Sequence, residues 1–249
     1  MEILKRTEKN GQPLLGDLAQ KELSRRKFLR FSGMAGASAV VLGSAGLSAC
    51  QKDDDNNNNS DGQNLGSGDF GILNYAYALE QLEAAFYTQV VANGNFTTSF
   101  SAMEQEYLKD VRDHEIAHRE FFKAALANNA IGSLEVDFSS IDFSNRSSVL
   151  NTAKTFEDLG VAAYNGAGKL ITNPDYLTLA GKIVSVEARH AALIRDLISN
   201  GSFADLSSLQ PLGGSNENGL DGALNPPDVL AAASPFIKTK INASNLPTA

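Results

Sequence analysis

Cysteine is almost missing from this chain: Cys50 is the single thiol in 249 residues, and one thiol cannot close a disulfide on its own. A disulfide-stapled scaffold is excluded, so the fold must hold itself together by packing. Long hydrophobic runs are also lacking. The uncharged stretch Gly33 to Ala49 is rich in Gly, Ala and Ser and barely reaches bilayer length, which argues against a transmembrane anchor. Basic residues are scarce beyond that stretch. Residues 1–49 hold eight of the 21 Lys and Arg but four of the 29 Asp and Glu, leaving 13 basic and 25 acidic groups, a net charge of about −12. Such a surface repels nucleic acid and anionic lipid and attracts cations, which disfavours a nucleic-acid role.

Ser24-Arg25-Arg26-Lys27-Phe28-Leu29-Arg30 sets paired arginines ahead of the uncharged stretch and resembles a twin-arginine export signal. Leu47-Ser48-Ala49-Cys50 closes that stretch and resembles a bacterial lipobox, whose cysteine becomes the lipidated first residue of the mature protein. Residues 1–49 are therefore expected to be a cleaved signal, with Arg25 and Arg26 engaging the twin-arginine export machinery. Lipid on Cys50 is expected to tether the protein to a membrane of the cell envelope, periplasmic or at the cell surface. Gln51 to Ser67 has no aromatic and one aliphatic residue, too little to offset its ordering entropy, so residues 50–68 are expected to form a disordered tether.

From Asp69 the pattern becomes helical. One helix is expected from Asp69, as N-cap, to the Asn93-Gly94 stop. A second runs from Ser101, with Glu104 completing a capping box, to about Asn128. A third starts near Ser144 or Ser147 and fades around Leu170, and a fourth starts at Asn173-Pro174 and stops at Asn200-Gly201. The connection between the second and third is far longer than usual, as in an all-α four-helix bundle with one long crossover. Within it, Leu134 to Phe138 alternates like a strand but has no visible partner and is read as an extended strap. Residues 201–249, rich in Gly, Asn and Pro, are expected to be an irregular tail with one short helix near Pro227 to Ala233.

Glu115-Ile116-Ala117-His118 on the second helix and Glu187-Ala188-Arg189-His190 on the fourth repeat a Glu-x-x-His spacing. Residues three apart share a helix face, so each pair presents a carboxylate and an imidazole together. With 13 Glu in 249 residues, two of three His would be so preceded by chance in roughly one chain in a hundred. Both pairs lie on apolar stripes, as do Glu80 on the first helix and Glu157 on the third. Leu79 to Tyr87 aligns with Phe156 to Tyr164, so the two halves look duplicated; Glu83 falls opposite Gly160, which favours Glu80 over Glu83. Tyr87 and Tyr164, two turns past their glutamates, are candidates to hydrogen-bond the ligands or relay an electron, or are ordinary core tyrosines. His114 is read as a half-exposed helix residue rather than a seventh ligand.

A Glu on helices one and three with Glu-x-x-His on helices two and four resembles the ferritin-like di-metal carboxylate bundles. LEQLEAAFY, HEIAHREFF and FEDLGVAAYNG are similar to bacterial ferritin-like proteins related to desiccation-associated proteins. The resemblance covers residues 69–200 and implies two Fe or Mn ions, with Glu115 and Glu187 bridging, Glu80 and Glu157 terminal, and His118 and His190 each on one ion. It departs where relatives often place Asp before the Glu of each pair; here His114 and Val186 stand there. The function implied is di-metal redox chemistry with oxygen or peroxide, ferroxidase- or peroxidase-like. The alternative is a non-catalytic envelope module for stress or desiccation, with structural metals. A lipid anchor and tether fit a homo-oligomer better than a closed ferritin cage.

Overall fold

A computed structural model of the protein describes residues 62–248. Arg25, Arg26, Cys50 and most of the expected tether lie outside the described residues. The elements in chain order are β1 (Gln63–Asn64), α1 (Gly68–Ala92), the single turn α2 (Phe96–Ser99), α3 (Ala102–Leu126), α4 (Arg146–Gly168), α5 (Pro174–Ile198), α6 (Pro226–Ala233) and β2 (Ile241–Asn242). The long helices α1, α3, α4 and α5 form an all-α bundle: α1 packs along α3, α4 along α5, and the two pairs close face to face. Among the described residues no helix is long and apolar enough to cross a membrane.

Local chemistry sets the helix starts. The Ser101 hydroxyl accepts from the Glu104 amide at 3.3 Å while Glu104 Oε2 accepts from the Ser101 amide at 2.8 Å, the reciprocal capping box expected for α3. Asn173 caps α5 with Pro174 in its first turn. For α4, which starts at Arg146, between Ser144 and Ser147, the cap is Asn145, whose Oδ1 accepts from the amides of Ser147 and Ser148. Asp69 is not the cap of α1, which begins after Ser67. Its carboxylate instead accepts from the Thr172 amide and hydroxyl and the Asn173 amide, at 2.8–2.9 Å, and fastens the α4–α5 turn to the start of α1.

Every residue of α1 from Gly71 to Ala84 is buried, because the crossover and the tail cover its outer side. Phe86 meets Phe138 and Phe143 of the crossover at 5.9 and 5.8 Å, and Phe156 of α4 at 5.1 Å. Such aromatic pairs contribute about 0.5–1.5 kcal/mol each beyond burial. Asn74 and Gln81 of α1 supply the polar fastening: Asn74 Oδ1 accepts from the Ile131 amide and Gln81 Oε1 from the Leu134 amide, both at 2.9 Å.

Two expectations are corrected by long-range pairing. The strap does have a partner: Val136 bridges antiparallel to Ile237, and the Asp137 amide donates to the Phe236 carbonyl at 2.8 Å. The end of the expected tether is folded, since β1 pairs parallel with β2 and Leu65 is fully buried. The tail is docked on α4, where the Leu224 amide donates to the Ala162 carbonyl at 2.9 Å. A Cβ on Gly166 would lie 1.7 Å from the Leu224 carbonyl oxygen, so only glycine permits that approach.

Candidate metal centre

All six candidate ligands converge in the middle of the bundle. Glu80 comes from α1, Glu115 and His118 from α3, Glu157 from α4, and Glu187 and His190 from α5. The four carboxylates are fully buried. Two overlapping groups, Glu80-Glu115-His118-Glu187 and Glu115-Glu157-Glu187-His190, can each bring one donor atom per residue within 4.8 Å of the others.

The oxygen positions are ordered. His118 Nδ1 lies 2.9 Å from Glu187 Oε1, 3.4 Å from Glu80 Oε2 and 3.6 Å from Glu115 Oε2. His190 Nδ1 lies 2.8 Å from Glu115 Oε1 and 3.3 Å from both Glu157 Oε2 and Glu187 Oε2. Glu115 and Glu187 thus each turn one oxygen towards either histidine. Glu80 and Glu157 face inwards with Oε2 only, because Oε1 of Glu80 accepts from the Tyr164 hydroxyl and Oε1 of Glu157 from the Tyr87 hydroxyl.

Among the described residues ten buried side-chain polar atoms lack a hydrogen-bond partner, and eight of them belong to this cluster. They are Glu80 Oε2, Glu157 Oε2, both oxygens of Glu115 and Glu187, and Nδ1 of His118 and His190. Orphaned buried polar atoms cost about 1–3 kcal/mol each, more when charged, and a cluster of them aimed at common points fits bound cations. Carboxylate and imidazole donors are what a divalent transition ion accepts.

The electrostatics describe the same site without metal. Burial, assisted by Glu187 and Glu115 and opposed by His118, pushes the Glu80 carboxyl well above its ordinary range. Burial likewise raises Glu157 to about 8, against the pull of His190. For Glu115 burial also acts upward, but contact with His118 and His190 outweighs it and holds the carboxyl at about 2. His118 is lowered by burial and raised more strongly by Glu115, Glu187 and Glu80, to about 12; His190 is raised in the same way. The cluster is therefore neutralised by protons or by cations.

Four neighbours adjoin the cluster. Tyr87 and Tyr164 are hydrogen-bonded to the cluster rather than inert core residues, and Tyr164 also walls a surface groove of about 350 Å³ with Lys169, Leu177 and Val184. Glu83 stands outside both donor groups, as the alignment with Gly160 suggested, yet it is buried. A Cβ at residue 160 would come 3.0 Å from Glu83 Oε1, so the glycine makes room for that acid. His114 is exposed but not idle: its Nδ1 lies 2.9 Å from His190 Nε2, a contact between helices that no spacing within α3 could reveal.

A helical bundle with a buried carboxylate and histidine cluster defines the class of protein. The chain belongs to the ferritin-like domain family, which it matches over residues 68–200, more than half its length. No curated protein matches it.

Proposed function

We propose that this is an exported, lipid-anchored ferritin-like protein that holds two iron or two manganese ions and performs redox chemistry with oxygen or peroxide, as a ferroxidase- or peroxidase-like enzyme. The observation that carries the reading is the pair of four-residue donor groups sharing Glu115 and Glu187. In this reading Glu115 and Glu187 would serve both ions, Glu80 and Glu157 would each be a ligand to one, and His118 and His190 would each hold one ion. Two divalent ions offset four buried carboxylates, and oxygen with imidazole donors suits iron or manganese over thiolate-seeking metals. The ions would supply electron transfer to dioxygen or peroxide. Tyr87 and Tyr164 orient the terminal carboxylates, and the apolar shell limits water. Export rests on Arg25, Arg26 and the lipobox at Cys50; a lipid-tethered chain accommodates a homo-oligomer but not a closed cage.

The second reading, an envelope stress or desiccation module with structural metals, draws on the origin of the ligands: every long helix contributes at least one, so ions would brace the whole bundle. Fe(II) oxidation in air and peroxide consumption by metal-loaded protein separate the two. Turnover above that of the double variant His118→Ala, His190→Ala supports the enzyme; metal uptake without turnover supports the brace.

A further inference from the structure

His114 precedes Glu115 on α3, and its side chain reaches across to α5. Its Nδ1 stands 2.9 Å from His190 Nε2, with the rings 12° from coplanar and their centroids 5.2 Å apart. A nitrogen contact that short at that centroid separation puts both nitrogens between the rings, in the ring planes. The pair is thus an in-plane hydrogen bond and not a face-to-face stack.

The other nitrogen of His190, Nδ1, faces Glu115, Glu157 and Glu187 at 2.8–3.3 Å. A neutral imidazole carries one N–H. With the Nδ1 lone pair turned to an ion, the hydrogen sits on Nε2 and His114 Nδ1 accepts it, which fixes both tautomer and ring orientation. The duplicated half has no equivalent: the residue before Glu187 is Val186, whose side chain has no polar atom.

The geometry points to His114 as a positioning residue that makes the two halves of the centre unequal, so that the ion beside His190 is held more tightly than the ion beside His118. This rests on the two-ion reading above. Outer hydrogen-bond partners of a ligating histidine typically contribute 10–100-fold in metal affinity.

Titration of the metal-free full-length protein with Mn²⁺, followed by calorimetry without oxygen, tests it. Wild type should take up two ions with unequal constants. His114→Ala should weaken the tighter by about 10–100-fold and leave the weaker unchanged. His114→Asn, whose Oδ1 stands close to the place of the imidazole Nδ1, should restore the tighter constant. His114→Ala, which takes the partner from Nε2 of the buried His190, should also lower the melting temperature of the metal-free protein, and His114→Asn should restore it. Equal weakening of both ions, no weakening, or failure of the Asn variant to restore binding overturns the inference. Wild type that binds no Mn²⁺, or a single ion, overturns the two-ion reading itself.

Discussion

Tyr87 on α1 donates its hydroxyl hydrogen to Glu157 on α4, and the bond is returned in mirror fashion by Tyr164 on α4 to Glu80 on α1. Each tyrosine follows the glutamate of its own helix by seven residues but serves the glutamate of the other. Burial, then the neighbouring carboxylates, push both hydroxyls well above their usual pKa, so they remain donors. The crossed bonds leave Oε2 of each glutamate free for the centre.

Tyr87→Phe and Tyr164→Phe should each leave one buried carboxylate oxygen unpaired, at a cost of about 1–3 kcal/mol in stability. Each should also weaken metal binding by about 10–100-fold. Denaturant unfolding and metal titration read the two effects; wild-type values in both would contradict the crossed arrangement.

The metal-free protein should lose stability as pH rises from mildly acidic to neutral. Glu157 is raised by burial from 4.5 to about 8, so between those values the folded state keeps a proton that the unfolded state has lost. Its contribution is full below about 4.5 and gone above about 8. His118, raised from 6.5 to about 12, has the same sign and extends the loss to higher pH. Glu115, held at about 2, acts oppositely only below its ordinary 4.5. Metal needs deprotonated ligands, so the stabilisation it brings should grow with pH. Thermal melts of metal-free and loaded protein should diverge as pH rises; parallel curves would contradict a shared buried site.

The four long helices and their six converging side chains were legible in the sequence because both are local signals: apolar periodicity, caps, and residues three apart on one face. What the sequence hid is long-range. The partner of the Val136 strap lies about a hundred residues downstream at Ile237, and Asp69 serves the α4–α5 turn instead of its own helix. His114 works through a ring on α5. Two local marks of that packing do stand in the sequence: Asn165-Gly166, poor helix formers inside α4, lie where the tail docks, and apolar residues spread round most of α1 match its cover on both sides.

Gly166→Ala should force the Leu224 carbonyl away from α4, since the new methyl would stand 1.7 Å from it. Overpacking of this kind costs about 1–3 kcal/mol, occasionally more. The melting temperature should fall by about 2–4 °C per kcal/mol, or limited proteolysis should cut the tail after residue 200. A variant unchanged in both assays would contradict the docking.

Cys50→Ser should release the protein from the membrane fraction or block its processing. Wild type found soluble in the cytoplasm with residues 1–49 intact would contradict the export and anchoring proposed here.

Glu80, Glu115, His118, Glu157, Glu187 and His190 are proposed to hold two ions. Elemental analysis of the protein purified from its own host, beside His118→Ala with His190→Ala, tests that proposal most directly. Two iron or manganese ions per chain in the wild type, with most of that metal lost in the double variant, is the expected result. Absence of stoichiometric metal, or full loading retained in the variant, would contradict it.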